Sequence, residues 1–150
     1  MLYWHVRKIV ISHENADDVL QNAFVKAWKA IGNFRGESKL KTWLYRIATN
    51  EALTLLKKEK KRSHGDLGDI QDSLQHSLEQ GPMISGDEIQ MKLQKAVLSL
   101  PEKQRLVFNL KYFEEMKYRE IAEVLGGSEG SLKASYHHAV KKIEVFLRGD

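Results

Sequence analysis

Helical periodicity runs through almost all of this chain and lapses in one place. From Ser63 to Gly86, Gly65, Gly68, Gly81, Pro82 and Gly86 punctuate a run rich in Ser, Asp and Gln. Its few apolar residues, Leu67, Ile70, Leu74 and Leu78, support at most one weak helical turn. Connections inside a compact domain typically span about 4 to 6 residues, so a break of this length predicts a flexible linker between two units. The fold class expected is all-α, with two small helical domains over 1–62 and 87–150 joined by a linker over 63–86.

In the first half, Leu2, Val6, Ile9 and Val10 stand at helical spacing with no capping residue before Leu2, so the chain opens inside a helix. After the polar turn residues Ser12 to Asn15, a wide stripe at i, i+3, i+4 predicts a second helix: Ala16, Val19, Leu20, Ala23, Phe24, Ala27, Trp28 and Ile31. Its opposite face carries Asp17, Asp18, Gln21, Asn22 and Lys26, a pattern that by itself reads as a solvated surface. Gly32 ends the helix, and Asn33 to Lys39 reads as a polar loop centred on Gly36. A third helix is expected from about Ser38 to about Lys61, with Leu40, Trp43, Leu44, Ile47, Ala48, Leu55 and Leu56 facing inward.

Charge singles out this last stretch. Between Arg35 and Arg62 nine Lys and Arg face three carboxylates, a local excess of +6. Between Ser63 and Met91 there is no Lys or Arg and there are six carboxylates, so the chain's net +4 conceals two opposed segments. The terminal KKEKKR carries more cations than complementing a helix C-terminus requires. Trp43 and Tyr45 offer flat faces, Thr42, Thr49 and Asn50 offer hydrogen bonds, and Arg46, Lys57, Lys58, Lys60, Lys61 and Arg62 offer cations. Stacking surface, base-reading groups and phosphate partners on one helix suit unpaired nucleic acid better than a closed duplex. Spacing places Trp43 in the core more readily than on a base, whereas Tyr45 and Arg46 lie off the apolar stripe and are candidates for contact.

Beyond the linker, Ile89, Leu93, Ala96, Val97 and Leu100 resume the helical period. Ser99 and Glu102 stand at capping-box spacing around Pro101 and begin a helix through Leu106, Val107, Leu110 and Phe113. Next come a short helix around Ile121, Ala122 and Leu125, a turn at Gly126 and Gly127, and a longer helix carrying Leu132, Tyr136, Ala139, Val140, Ile143, Phe146 and Leu147. These are the parts of a helix-turn-helix, and the outer face of the second helix shows Ser131, Lys133, Ala134, Ser135, His137, His138 and Lys141. Groups of this reach contact base edges and phosphates in a major groove. A helical hairpin with no DNA role fits the same segment.

Several classes fall away. Without cysteine there is no disulfide framework or thiol chemistry, and His137 and His138, adjacent on a helix, point about 100° apart, unlike the i, i+4 pair of a helical zinc site. No nucleophile, base and orienting group can be assembled from spacing, no glycine loop cradles phosphate, and neither an enzyme nor a cofactor is expected. No run approaches the roughly 20 apolar residues of a membrane span, and MLYWHVRKIV lacks a signal peptide's apolar core, so a cytoplasmic protein with no membrane contact of its own is expected.

Two segments resemble the extracytoplasmic-function (ECF) group of bacterial sigma factors, the promoter-recognition subunits of RNA polymerase in the sigma-70 family. NADDVLQNAFVKAWKAIGNFRGESKLKTWLYRIATNEAL is similar to the family's region two, a helical bundle, and LPEKQRLVFNLKYFEEMKYREIAEVLGGSEGSLKASYHHAVKKIE to its region four, a helix-turn-helix. The resemblance implies promoter recognition, promoter melting and transcription initiation, with core RNA polymerase, duplex and melted promoter DNA and an anti-sigma factor as partners. It matches Asp17, Asp18, Gln21 and Asn22 to the surface that grips the clamp helices of the polymerase's largest subunit. It matches Arg35, Gly36, Glu37, Ser38, Lys39, Trp43, Arg46, Asn50, Lys57 and Lys58 to the part that captures the melted minus-ten element. Tyr118, Ser131, Lys133, Ala134, Ser135, His137, His138 and Lys141 fall where the family meets the minus-thirty-five duplex. By the same likeness the acidic linker runs through the transcript exit path, and the first unit is N-terminally shortened. Ser135 and His138 stand where the family often has arginine, which implies a minus-thirty-five preference of its own. The alternative is a helix-turn-helix regulator acting without polymerase; it has no use for the aromatic and basic stretch from Asn33 to Arg62. An RNA-binding protein or nuclease comes third and lacks a metal-binding carboxylate cluster.

Overall fold

The computed structural model describes residues 2–63 and 88–149, so the linker, apart from Ser63 at the end of the third helix, and the readings attached to it lie outside the described residues. Seven α-helices and no strand are found among the described residues. In the first half these are α1 (Leu2–Val10), α2 (His13–Ala30) and α3 (Leu40–Ser63). In the second half they are α4 (Glu88–Leu98), α5 (Glu102–Phe108), which continues through a π turn over Asn109–Phe113, α6 (Tyr118–Leu125) and α7 (Glu129–Arg148).

The helix boundaries have local causes. Ile11 at φ 68 breaks α1 from α2, a conformation rare for a β-branched residue, and it is held by two bonds. Its N–H donates to the Arg7 carbonyl at 2.8 Å, and its own carbonyl accepts from Arg7 Nε at 2.5 Å. Ser12 then caps α2 by accepting the Asn15 N–H at 3.0 Å, and Ser128 caps α7 by accepting the Ser131 N–H at 3.1 Å. The capping box expected from Ser99 and Glu102 does not form. Ser99 Oγ turns back to donate to the Ala96 carbonyl at 2.6 Å, and Pro101 opens α5 without a side-chain cap. A carboxylate of that kind acts at α6 instead, where Glu120 Oε1 accepts the Lys117 N–H at 3.1 Å.

Three buried clusters hold the molecule together, and two of them cross between the halves. The first joins Val6, Ile9 and Val10 of α1, Val19 and Ala23 of α2, and Ala48, Ala52 and Leu56 of α3, and reaches Leu98 and Leu106. The second seats Tyr45 of α3 among Val107, Leu110, Met116, Ile121, Val124 and Leu132. The third, with Ala96, Val97, Leu100, Phe108, Ala139 and Ile143, lies within the second half. The two helical units therefore pack directly on each other, α3 against α6.

The wide apolar stripe expected on α2 is narrower in fact. Ala16, Ala23 and Ala27 are buried, but Phe24, Trp28 and Ile31 are 53%, 81% and 48% exposed. Alanines bring α1 and α3 close to α2, and at that separation the large residues flanking the seam project past it. Leu40, expected inside, is exposed at the start of α3 for want of any element above it.

Candidate nucleic-acid interface

The loop before α3 turns at Gly36, whose φ of 72 suits a residue without a Cβ. Phe34 folds back so that its ring lies 5.1 Å from that of Trp43. Trp43 is thereby held half-buried, neither a core residue nor a loose one. Beside it opens a cleft of about 320 Å³ lined by Glu37, Ser38, Thr42, Trp43, Arg46 and, from α6, Glu123. Trp43, Arg46, Asn50 and Lys57 recur at i, i+3, i+7 and i+14, so they form one stripe leading away from the cleft. Arg46, Asn50, Lys57 and Lys58 are exposed, as are Arg35, Gly36, Glu37 and Lys39 in the loop, while Ser38 is half-buried.

Three residues read from the sequence as contact groups are elsewhere. Tyr45 is 3% exposed, seated in the second cluster with its hydroxyl donating to Glu114 Oε2 at 2.7 Å. Burial and that carboxylate push its pKa well above the usual phenol value. Thr49 is fully buried and bonded to His5 Nε2 at 2.8 Å. Thr42 is buried, donating to Glu120 Oε2 at 3.4 Å. The cause is tertiary: Thr42 and Tyr45 face the second half and Thr49 faces His5 of α1, pairings that only the folded chain reveals.

On α2, Asp17, Asp18, Gln21 and Asn22 are all exposed. Phe24, Val25 and Trp28, one to two turns further on, extend this surface with apolar area, of which the sequence reading assigned Phe24 and Trp28 to the core. Behind it α2 is fixed to α3 by Asn15 Nδ2 donating to Glu59 at 3.0 Å and by the Lys26–Glu51 ion pair.

In the second half, Gly126 and Gly127 take φ of 83 and 87 and turn the chain between α6 and α7. On α7, Ser131, Lys133, Ala134, His137, His138 and Lys141 are exposed and Ser135 is half-buried. The His137 and His138 ring centroids are 6.3 Å apart with planes at 60°. Tyr118 is half-buried, its ring edge-on to Tyr136 at 6.4 Å and under Lys111 Nζ at 4.6 Å. Sequence reasoning overlooked Lys103, whose Nζ donates to Ser131 Oγ at 3.3 Å and adds a cation to the α7 face. A separation of 28 residues left no periodic signal of that neighbourhood.

Residues 1–62 match the family model described as Sigma-70 region 2, and residues 90–143 match that described as Sigma-70, region 4. The RNA polymerase sigma-H factor of Pseudomonas aeruginosa is 33% identical over 149 residues, covering 94% of this chain and 77% of the relative. The ECF RNA polymerase sigma factor SigW of Bacillus subtilis is 32% identical over 144 residues, covering 91% of this chain and 76% of the relative. This chain belongs to the ECF group of the sigma-70 family. As a sigma factor of that group it directs transcription initiation and is not an enzyme. The ECF sigma-E factor of Escherichia coli K12 is 29% identical over 137 residues, covering 85% of this chain and 71% of the relative. A solved structure of the sigma factor RpoE in complex with the anti-sigma factor NepR from Bartonella quintana superposes with a TM-score of 0.77 at 22% identity. It covers 99% of this chain and 91% of that one, a likeness of fold. No helix among the described residues of this sigma factor is long and apolar enough to cross a membrane.

Proposed function

We propose that this sigma factor divides promoter recognition between its halves, 1–62 acting as region two and 87–150 as region four, with 63–86 as the tether. The observation that carries the reading is the cleft of Glu37, Ser38, Trp43 and Arg46 at the head of an exposed polar and cationic stripe. A flipped base enters beside Trp43, Arg46 and Asn50 hold the strand, and Lys57 and Lys58 neutralise phosphates behind it. Arg35, Gly36 and Lys39 shape the rim. Stacking is worth roughly 1 to 3 kcal/mol per base, enough for two captured bases to offset the unpairing of a few steps once the protein is anchored.

The anchor is α7. Ser131, Lys133, Ala134, Ser135, His137, His138 and Lys141, with Tyr118 from α6, meet the minus-thirty-five duplex, phosphate contacts setting position and side chains reading base edges. Asp17, Asp18, Gln21 and Asn22 dock on core RNA polymerase, with Phe24 and Trp28 adding apolar area at the same surface. An anti-sigma factor is a further partner, supported by the complex in which the structurally similar RpoE was solved. The reading is of a cytoplasmic protein. The test is run-off transcription with core polymerase and a promoter library. Initiation from a discrete promoter class is expected. Arg46→Ala with Asn50→Ala should then abolish opening while leaving polymerase binding intact, and failure to initiate on any template would overturn the proposal.

A further inference from the structure

The π turn that follows α5 opens on Asn109, whose carbonyl accepts the N–H of Glu114, five residues on, at 3.3 Å. The Asn109 side chain is 1% exposed, and neither Oδ1 nor Nδ2 has a hydrogen-bond partner among the described residues. Beside it lies a cavity of about 20 Å³, lined also by Lys8 and Ile11 of α1, Gln94 and Val97 of α4, and Phe113. Gln94 Oε1 is likewise buried and unpartnered among the described residues. Lys8 holds Nζ 4.1 Å above the Phe113 ring, with burial lowering its pKa and Glu114 opposing the fall.

An amide of this kind is costly to bury dry. Stripping water from its carbonyl and amino groups with nothing in return costs more than an ordinary hydrogen bond contributes, so native interiors rarely leave both unmet. The lining narrows what can meet them. A cation would stand against the Lys8 ammonium, and an anion against the carbonyl oxygens of Asn109 and Gln94. A hydrocarbon group would leave the polar atoms dry. What remains is a small neutral group able both to donate and to accept. One water needs about 10 to 15 Å³ of such space and two to four polar partners, and this cavity supplies both.

We infer that the cavity between α1, α4 and the π turn is a binding site for a single structural water, bridging the buried Asn109 amide to Gln94 Oε1. The water supplies the partners that the surrounding helices do not. It thereby holds the side chain at which the π turn begins. Through that turn Glu114 and Met116 return their N–H groups to the carbonyls of Asn109 and Leu110, at 3.3 and 3.1 Å, and these bonds set where α6 starts. The helix-turn-helix of this sigma factor therefore springs from a hydrated joint rather than a dry one.

The experiment uses the full chain, isotopically labelled in nitrogen, and water-selective nuclear Overhauser spectra. The Asn109 side-chain amide protons, assigned by their loss in Asn109→Ala, are expected to show cross peaks to water of opposite sign in the laboratory and rotating frames. That sign pattern marks a held water rather than proton exchange, and absence of such peaks would overturn the inference. Val97→Ile adds one methylene to the cavity wall. It should erase the cross peaks and lower the urea midpoint by roughly 0.5 M or more, because the displaced water leaves the amide unmet. In an Asn109→Ala background the same methylene strands no amide and should be neutral or stabilising. A raised midpoint for Val97→Ile in the parent chain, as filling a dry void would give, or an equal loss in both backgrounds, would overturn the inference as well.

Discussion

His5 is fully buried between α1 and α3, and its imidazole is neutral in the folded protein. Its pKa falls from 6.5 to about 3, first because burial strips solvent from the charged form and then because Lys8 stands nearby. Nε2 is bonded to Thr49 Oγ1 at 2.8 Å, while Nδ1 has no partner among the described residues to receive a second proton. A base with a depressed folded pKa contributes its full stability above the unfolded value of 6.5 and loses it as pH falls towards 3, because the unfolded chain takes up the proton first. At about pH 5 the unfolded ensemble carries nearly one proton on His5 and the folded state almost none. Integrating a slope of up to about 1.4 kcal/mol per pH unit from about pH 7 to about pH 5 gives a loss of about 2 kcal/mol from this group. Urea denaturation followed by far-ultraviolet circular dichroism reads this as a midpoint lower by roughly 1 M. His5→Gln is the control, since its amide reaches Thr49 from the position of Nε2 and does not titrate. It should be less stable at neutral pH but should lack this part of the acid loss. Parallel declines in the two proteins would refute the argument that His5 is the titrating group.

Thr49→Val removes the partner of His5 Nε2 and should cost about 1 to 3 kcal/mol of stability, read by urea denaturation, while leaving every surface proposed to meet DNA unchanged. Gly126, at φ 83 and ψ −179, occupies a region that only glycine reaches readily, and a Cβ there would touch nothing within 4 Å. Gly126→Ala should therefore destabilise by about 1 to 3 kcal/mol through backbone strain alone, whereas Gly130→Ala within α7 should be neutral or stabilising; thermal melts separate the two. Lys133→Ala should weaken minus-thirty-five duplex binding by the polymerase complex on every sequence alike and lower the log affinity against log salt slope by about one, with an unchanged slope counting against a phosphate contact.

Much of this protein was legible from periodicity. The seven helices stand close to where the apolar spacing put them, because each is amphipathic and long enough for its stripe to be counted. The polar stripe of Arg46, Asn50, Lys57 and Lys58 and the outer face of α7 could be read the same way, since exposed residues on a regular helix follow from its pitch alone. The π turn over Asn109–Phe113 could not, since it alters the helical register within an unbroken apolar pattern. Nor could the exposure of Phe24 and Trp28, because a stripe shows which residues are apolar but not how closely the neighbouring helices approach.

By itself, the sequence determined the helical class and which exposed groups on α3 and α7 carry the charge and hydrogen-bonding capacity that suit nucleic acid. These are local properties, set within a few turns of chain. Only the tertiary structure decided that Tyr45, Thr42 and Thr49 are buried, that Phe34 holds Trp43 at the edge of a cleft, and that Glu123 of α6 lines that cleft while Glu120 lines its neighbour. Each of those outcomes depends on two segments meeting in space, such as Thr42 with Glu120, 78 residues apart, and no periodic pattern encodes a pairing of that range.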